Sequence, residues 1–424
     1  MEKFVVWQAQ PLCGKVRISG AKNAALPILA ACLLTEEICV IENIPPLSDV
    51  KNMLNILTGF GAQVDFDEKR ETLQITVPDI VSDEGSYEKA GKLRASFLVA
   101  GAMLGRHRKV KLPLPGGCRI GSRPVDLHLK GFQAMGVKCK QKHGVVEMDV
   151  NVLKGHVIYL DFPSVGATKN VMLAAVLAKG TTVIENAAAE PEICDLADFL
   201  REMGADIQGD GTDTITIKGM KSLHGAVHRV MADRIEAGTF MIGAAITGGD
   251  IILEGIQEGH LKPLIAKLAE CNVKSEIMSE GLRVYRKGKI QPTLLKTMPF
   301  PGFPTDMQAP FMSLMTVARG TSVITETVFE NRFTHAAELQ RMGADIRIDS
   351  RSAIIEGVGE LTGSKVTATD LRAGAALILS ALAAKGETEI GDIYHIERGY
   401  HKIDEKLRGL GVRIEKRSGA GEEP

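Results

Sequence analysis

The most regular feature of the chain is a set of six stretches in which apolar residues follow one another with no polar face. They read AKNAALPILAACLL, LRASFLVAGAML, VGATKNVMLAAVLAKG, RIEAGTFMIGAAITGG, DMQAPFMSLMTVARG and LRAGAALILSALAAKG. Such stretches predict helices buried all round, and their alanines and glycines let neighbouring helices approach closely. Between them a second pattern recurs, a helix-to-strand junction: LTGFGAQVDF, QAMGVKCKQK, REMGADIQGD, LAECNVKSEI, LQRMGADIRI and LRGLGVRIEK. Gly61, Gly136, Gly204, Gly343 and Gly411 hold one position in five of these, and Asn272 holds it in the other. Glycine, and less often asparagine, fits a left-handed helix C-cap that leads into a strand. A strand, a loop and an amphipathic helix precede each junction, as in GTTVIENAAAEPEICDLADFLREMGADI, and a hairpin such as IQGDGTDTITIKG follows it. The period is about 70 residues, longer than ordinary solenoid repeats, so each unit predicts a small subdomain.

Six such units in 424 residues are more than one core holds. The expected architecture is α/β (α+β): two domains of three repeats, each with three buried helices inside and sheets and outer helices around them. The natural cuts fall near residues 20 and 230. Residues 21–229 then form one domain, and residues 1–20 plus 230–424 the other, with residues 1–20 a strand that returns to it. Aromatic residues are only 4% of the chain, so the cores must be aliphatic. The net charge of -1 argues against nucleic-acid or membrane-surface binding driven by bulk electrostatics, and an anionic ligand must meet local basic residues. The start, MEKFVVWQAQPLCGK, lacks the apolar core of a signal peptide, and no long uncharged apolar run spans a membrane. The seven cysteines are scattered and odd in number, without a C-x-x-C pair, which fits a reduced compartment. The expected location is cytoplasmic.

The starts of the buried helices share a character: Ser19-Gly20-Ala21-Lys22-Asn23, Leu93-Arg94-Ala95-Ser96, Ser164-Val165-Gly166-Ala167-Thr168, Asp233-Arg234, Thr305-Asp306 and Asp370-Leu371-Arg372. Ser, Thr and Asp are good N-caps, and for Asp233 a cap alone accounts for the residue. Helix N-termini also present free N–H groups and a positive dipole end, which bind anions. Lys22, Arg94 and Arg372 add cations that a mere cap does not need. If repeat symmetry aims these ends into one cleft between the domains, that cleft is an anion site.

The segment Leu114 to His128, LPGGCRIGSRPVDLH, occupies the strand-to-outer-helix loop of the second repeat. Glycines around Cys118, with Arg119 and Arg123 beside it, predict a mobile tip carrying a thiol whose pKa the cations lower. The equivalent loops of repeats five and six hold Arg332 and Arg398. Together the blocks SGAKNAALPILA, LPGGCRIGSRPVDLH, SVGAT, ENAAAEPEI, FPTDMQA, ETVFENRF, ATDLRA and YHIERGY resemble the UDP-N-acetylglucosamine 1-carboxyvinyltransferases, enolpyruvyl transferases of peptidoglycan synthesis. The resemblance runs from about Phe4 to Lys416. PGGCRIGSRPVDLH is its most specific block. It implies two inside-out α/β barrel domains, each of three repeated subdomains with a buried helix.

Carried over by position, the resemblance implies that Lys22 and Asn23 contact phosphoenolpyruvate, with Arg123 and Arg398 at its phosphate and Arg332 and Arg372 at its carboxylate. It implies that Arg94, Arg123, Pro124, Val125, Asp126, Leu127, Ser164, Val165, Gly166, Asp306 and Val328 contact UDP-N-acetylglucosamine. Cys118 resembles the lid cysteine of the family, a proton donor and a thiol that forms an adduct with phosphoenolpyruvate. Lys22, Cys118, Asp306 and Arg398 would be the catalytic set. Some relatives carry a lysine two residues before the serine of SVGAT; this chain has Phe162, although DFPSVGAT does occur in the family.

The chemistry implied is addition followed by elimination, with Asp306 as base toward the sugar hydroxyl and Cys118 or a neighbour as acid. The partners would be two small molecules, with no nucleic acid and no membrane. Neither a metal nor an organic cofactor is required, since there is no His/Cys cluster and no paired-carboxylate motif. Two other functions fit parts of the pattern. The enolpyruvyl transferase acting on shikimate 3-phosphate shares the six repeats but lacks the cysteine-bearing lid. A non-catalytic phosphosugar-binding paralogue would be expected to have lost at least one of the four catalytic residues.

Overall fold

A computed structural model of the protein describes residues 2–84, 97–114 and 125–418. Arg94, Cys118, Arg119, Arg123 and Pro124 lie outside the described residues. The chain divides into two compact units, one built from Met1–Ser19 and Ala232–Pro424, the other from Gly20–Cys118 and Arg123–Met231.

In the unit of residues 20–231 the described residues form three sheets. Cys39–Glu42 pairs in parallel with Val227–Arg229 and antiparallel with Thr72–Thr76, which pairs with Gln63–Asp67. Thr181–Glu185 repeats the arrangement with Val157–Tyr159, Thr214–Lys218 and Asp206–Gln208. Lys109–Pro113, Val145–Asp149 and Lys138–Lys142 form the third. The apolar stretches are helices Lys22–Ala31, Val99–Arg106 and Val165–Ala175, buried along nearly their whole length. Their close approach is set by glycine. A Cβ on Gly101 would lie 2.1 Å from the Asn170 carbonyl oxygen, and one on Gly105, a turn later, 3.0 Å from that of Leu173.

The other unit has the same plan. Buried helices Arg234–Thr247, Gln308–Met315 and Leu371–Ala383 sit in a second aliphatic core, with the Ser313 hydroxyl donating to the Ala376 carbonyl across two of them. Asp250–Glu254 pairs in parallel with Cys13–Arg17, and Thr321–Thr325 with Leu294–Lys296. In the last sheet Glu387–Gly391 pairs with Lys365–Thr367 and with Glu2–Trp7, and Glu2–Trp7 pairs in turn with Ile414–Ser418. Where the sequence pattern predicts a single returning strand in residues 1–20, the chain forms two, in two sheets. The break is at Gln8–Leu12, where a proline at position 11 interrupts the ladder.

All six junctions are left-handed: φ is +111°, +92°, +95°, +66°, +92° and +92° at Gly61, Gly136, Gly204, Asn272, Gly343 and Gly411. The capping bonds recur too. Gly204 N donates to Arg201 O and Ala205 N to Leu200 O, and the same pair of offsets appears at Gly61, Gly136, Gly343 and Gly411. Among the described residues no helix is long and apolar enough to cross a membrane.

Candidate active site

In the unit of residues 20–231, Lys22 opens its helix without a side-chain cap: Ala21 holds the N-cap position. Ser19, expected as a cap from its place in the sequence, instead bonds to Lys406 through its hydroxyl. Lys22 is buried rather than displayed, with its ammonium 3.2 Å from Asp49 Oδ2. Asp49 lies in the first turn of helix Ser48–Gly59, and sequence reasoning missed it, since an acid there looks like dipole compensation. The Asn23 carbonyl accepts from Lys169 Nζ at 2.8 Å, so a buried second lysine backs this turn. Ser164 does cap its helix, accepting from Ala167 N, which leaves the first N–H groups, at Val165 and Gly166, without an intrahelical acceptor. Val125, Asp126 and Leu127 open the helix Asp126–Ala134.

In the other unit the fold brings three of the named residues together. Asp306 sits in the turn Thr305–Met307 that leads into helix Gln308–Met315. Its Oδ1 accepts from Arg332 Nη2 at 2.7 Å and its Oδ2 from Arg372 Nη2 at 2.9 Å. Arg372 is in the first turn of a helix capped by Asp370, whose carboxylate accepts from Arg372 N and Ala373 N. Thr305 does not cap as its position suggests; its hydroxyl donates to Glu326 Oε2. Both guanidiniums are only 4% exposed, and Nη1 of each has no hydrogen-bond partner among the described residues. Burial alone would raise the Asp306 pKa, but Arg372 and Arg332 overcome it and hold the carboxyl far below its usual range. Two buried cations share one anion, so the cluster carries a net positive charge with two donors left over, which favours binding of an anion.

Glu326 organises the neighbouring loop, although in the sequence it is only an acid ending an apolar strand. Its Oε1 accepts from Thr297 Oγ1, Val328 N and Phe329 N, which fixes Val328 while Oε2 holds the turn carrying Asp306. Arg398 follows the short helix Tyr394–Glu397 and is half-buried. Burial pushes the pKa of His335, beside this cluster, down to about 4; Asp370 opposes that and Arg332 adds to it.

Comparison with known proteins bears on this arrangement. The EPSP synthase (3-phosphoshikimate 1-carboxyvinyltransferase) family matches residues 6–407. UDP-N-acetylglucosamine 1-carboxyvinyltransferase 1 of Caldanaerobacter subterraneus subsp. tengcongensis is 56% identical over 412 residues, covering 97% of this chain and 99% of that one. UDP-N-acetylglucosamine 1-carboxyvinyltransferase 2 of Carboxydothermus hydrogenoformans is 56% identical over 420 residues, covering 98% and 99%. The chain belongs to the UDP-N-acetylglucosamine 1-carboxyvinyltransferase family. It is a transferase with the mixed α/β fold of the enolpyruvyl transferases. Over 99% of both chains it superposes on NikO from Streptomyces tendae, with a TM-score of 0.89 at 25% identity. EPSP synthase from Acinetobacter baumannii, at 19% identity and a TM-score of 0.76, shares the fold.

Proposed function

We propose that the protein transfers the enolpyruvyl group of phosphoenolpyruvate to the 3′-hydroxyl of UDP-N-acetylglucosamine, the first committed step of peptidoglycan synthesis, in the cytoplasm. The observation that carries this reading is the pair of buried guanidiniums, Arg332 and Arg372, that flank Asp306 and keep an unpartnered Nη1 each. That pair suits the carboxylate of phosphoenolpyruvate. Lys22 and Asn23, with Arg123 and Arg398, take its phosphate. Arg94, Arg123 to Leu127, Ser164 to Gly166, Asp306 and Val328 hold the nucleotide sugar.

In the first step the sugar oxygen bonds to C2 while its proton passes to Asp306 and C3 gains a proton from Cys118. Asp306 is a weak base while both arginines hold it. Engagement of the arginines by the substrate carboxylate weakens that hold and lets the carboxylate accept the proton. In the second step C3 loses a proton to the Cys118 thiolate, the double bond re-forms, and the C2–O bond to phosphate breaks as the phosphate takes up the proton held by Asp306, with Lys22 and the arginines stabilising the leaving dianion.

The cysteines offer a selective test. Of those described, only Cys13 is exposed, and burial pushes Cys139 and Cys194 up to about 11 and Cys271 to about 12. The phosphonate epoxide fosfomycin should therefore alkylate Cys118 ahead of all others, and faster with UDP-N-acetylglucosamine present, as peptide mass spectrometry would show. Single-turnover phosphate release should require UDP-N-acetylglucosamine and fail with shikimate 3-phosphate. Equal labelling of Cys118 and Cys13, indifferent to the sugar, with no phosphate released, would overturn the proposal.

A further inference from the structure

One side chain beside the proposed nucleotide-sugar segments has a hydrogen-bonding state that the structure fixes. Asn170, fully buried in helix Val165–Ala175, accepts from Gly101 N through Oδ1 at 2.8 Å and donates from Nδ2 to Phe97 O at 2.9 Å. A backbone N–H can only donate and a carbonyl can only accept, so the amide has one possible orientation. The second hydrogen of Nδ2 then points at His128 Nδ1, 2.8 Å away. That nitrogen must be the acceptor, and the ring proton of neutral His128 must sit on Nε2. Burial drives the imidazole pKa down to about 4 against the opposing pull of Asp126, so the ring is neutral near pH 7. Phe97 meets it edge-to-face, with centroids 5.3 Å apart, and holds its plane.

The Nε2–H has no protein partner among the described residues. It lies against Gly166: a Cβ there would stand 3.1 Å from both Cε1 and Nε2 of His128. Gly166 is the second residue of a helix, where alanine would ordinarily be preferred. A glycine leaves the His128 edge its place beside the open N–H groups of Val165 and Gly166. The Nε2–H of a neutral ring thus lies beside Gly166 at the start of a helix whose first N–H groups have no intrahelical acceptor, and donors of this kind suit an anionic oxygen.

We propose that His128 is a further binding residue, donating through Nε2–H to a diphosphate oxygen of the nucleotide sugar, and that Asn170 is the positioning residue that fixes its tautomer. The proposal rests on the reading above that Asp126, Leu127 and Ser164 to Gly166 hold UDP-N-acetylglucosamine.

Nitrogen-15 NMR of histidine-labelled full-length protein tests it directly. The free protein should show His128 as the Nε2–H tautomer, and UDP-N-acetylglucosamine or UDP should shift Nε2 while phosphoenolpyruvate alone does not. By calorimetry His128→Phe should weaken UDP-N-acetylglucosamine roughly 10- to 100-fold, as for loss of a hydrogen bond to a charged group, and His128→Gln should recover part of this. Asn170→Ala should give mixed tautomers and raise KM for the nucleotide sugar more than it lowers kcat. An Nδ1–H tautomer in the wild type, or an Nε2 signal unmoved by a nucleotide sugar that calorimetry shows to bind, overturns the inference alone. A wild type that does not bind UDP-N-acetylglucosamine at all overturns the inference together with the reading it rests on.

Discussion

At the scale of single residues, the electrostatics of this protein are settled by partners far apart in sequence. Asp306, Arg332 and Arg372 are one cluster, and removing its anion strands two buried guanidiniums. Asp306→Ala should therefore abolish turnover and also destabilise the protein, by about 3–5 kcal/mol, read as a lowered Tm. Because its carboxyl is held far below the usual range, this cluster stays ionised through mild acid. Acid sensitivity above pH 4 must come from elsewhere. His335 supplies part of it, as His128 does: buried and neutral, with its pKa lowered from 6.5 to about 4, each stabilises the fold only above the unfolded value. Each contribution is lost as pH falls from about 6.5 toward 4, to the extent of about 3 kcal/mol. His228 has the opposite sign. Burial lowers its pKa, but Asp195, 3.3 Å from Nε2, and Glu202, 2.8 Å from Nδ1, raise it overall. Its contribution is fully present below pH 6.5 and disappears as pH rises through the raised value. Chemical denaturation across pH should show both arms. His335→Phe should reduce the acid arm alone, leaving the share that His128 contributes, and His228→Leu should flatten the alkaline arm alone; a profile unchanged in either variant would refute the corresponding assignment.

At the scale of elements, the contacts that matter most are where one backbone lies on another. Helix Val99–Arg106 touches helix Val165–Ala175 at Gly101, where an added methyl group would meet a carbonyl oxygen at 2.1 Å. Gly101→Ala should cost roughly 1–3 kcal/mol or more by forcing the helices apart. Gly59→Ala, at a helical position with nothing within 4 Å of the new Cβ, should instead gain up to about 1 kcal/mol. Urea denaturation of the two variants gives the comparison, and equal shifts would show that propensity rather than packing controls both sites. The same contrast explains what the sequence disclosed. The buried helices were legible because a missing polar face is a local pattern, and the junctions because only glycine or asparagine tolerates their positive φ. The pairing of Lys22 with Asp49, the brace formed by Glu326, and the shared anion of Arg332 and Arg372 were not. Each joins residues whose proximity comes from tertiary packing, and no local periodicity marks it. Two of the expected caps failed for the same reason: Ser19 and Thr305 carry the right hydroxyl, but Lys406 and Glu326 claim it.

At the scale of the whole molecule, the chain does not fold in sequence order. The hairpin that should follow the junction at Gly411 has only one strand of its own, Ile414–Ser418; its second strand is Glu2–Trp7, from the other end of the chain. That strand is interior to its sheet, with Glu387–Gly391 on its other side, and Phe4, Val5 and Val6 are buried completely or nearly so. Full burial of three such side chains is worth about 1.5–3 kcal/mol each, and two ladders of backbone bonds go with them. The sum rivals the 5–15 kcal/mol that holds a typical domain together. Deleting residues 1–8 should therefore unfold the unit of residues 232–418 while the unit of residues 20–231, whose sheets use none of these strands, stays folded. Hydrogen exchange followed by mass spectrometry should then find helix Leu371–Ala383 unprotected and helix Val165–Ala175 still protected. A synthetic peptide of residues 1–12 should restore protection to the first helix in a concentration-dependent way. Equal loss of protection in both helices would mean that the two units fold as one cooperative body, and no loss in either would mean that the N-terminal strand is dispensable.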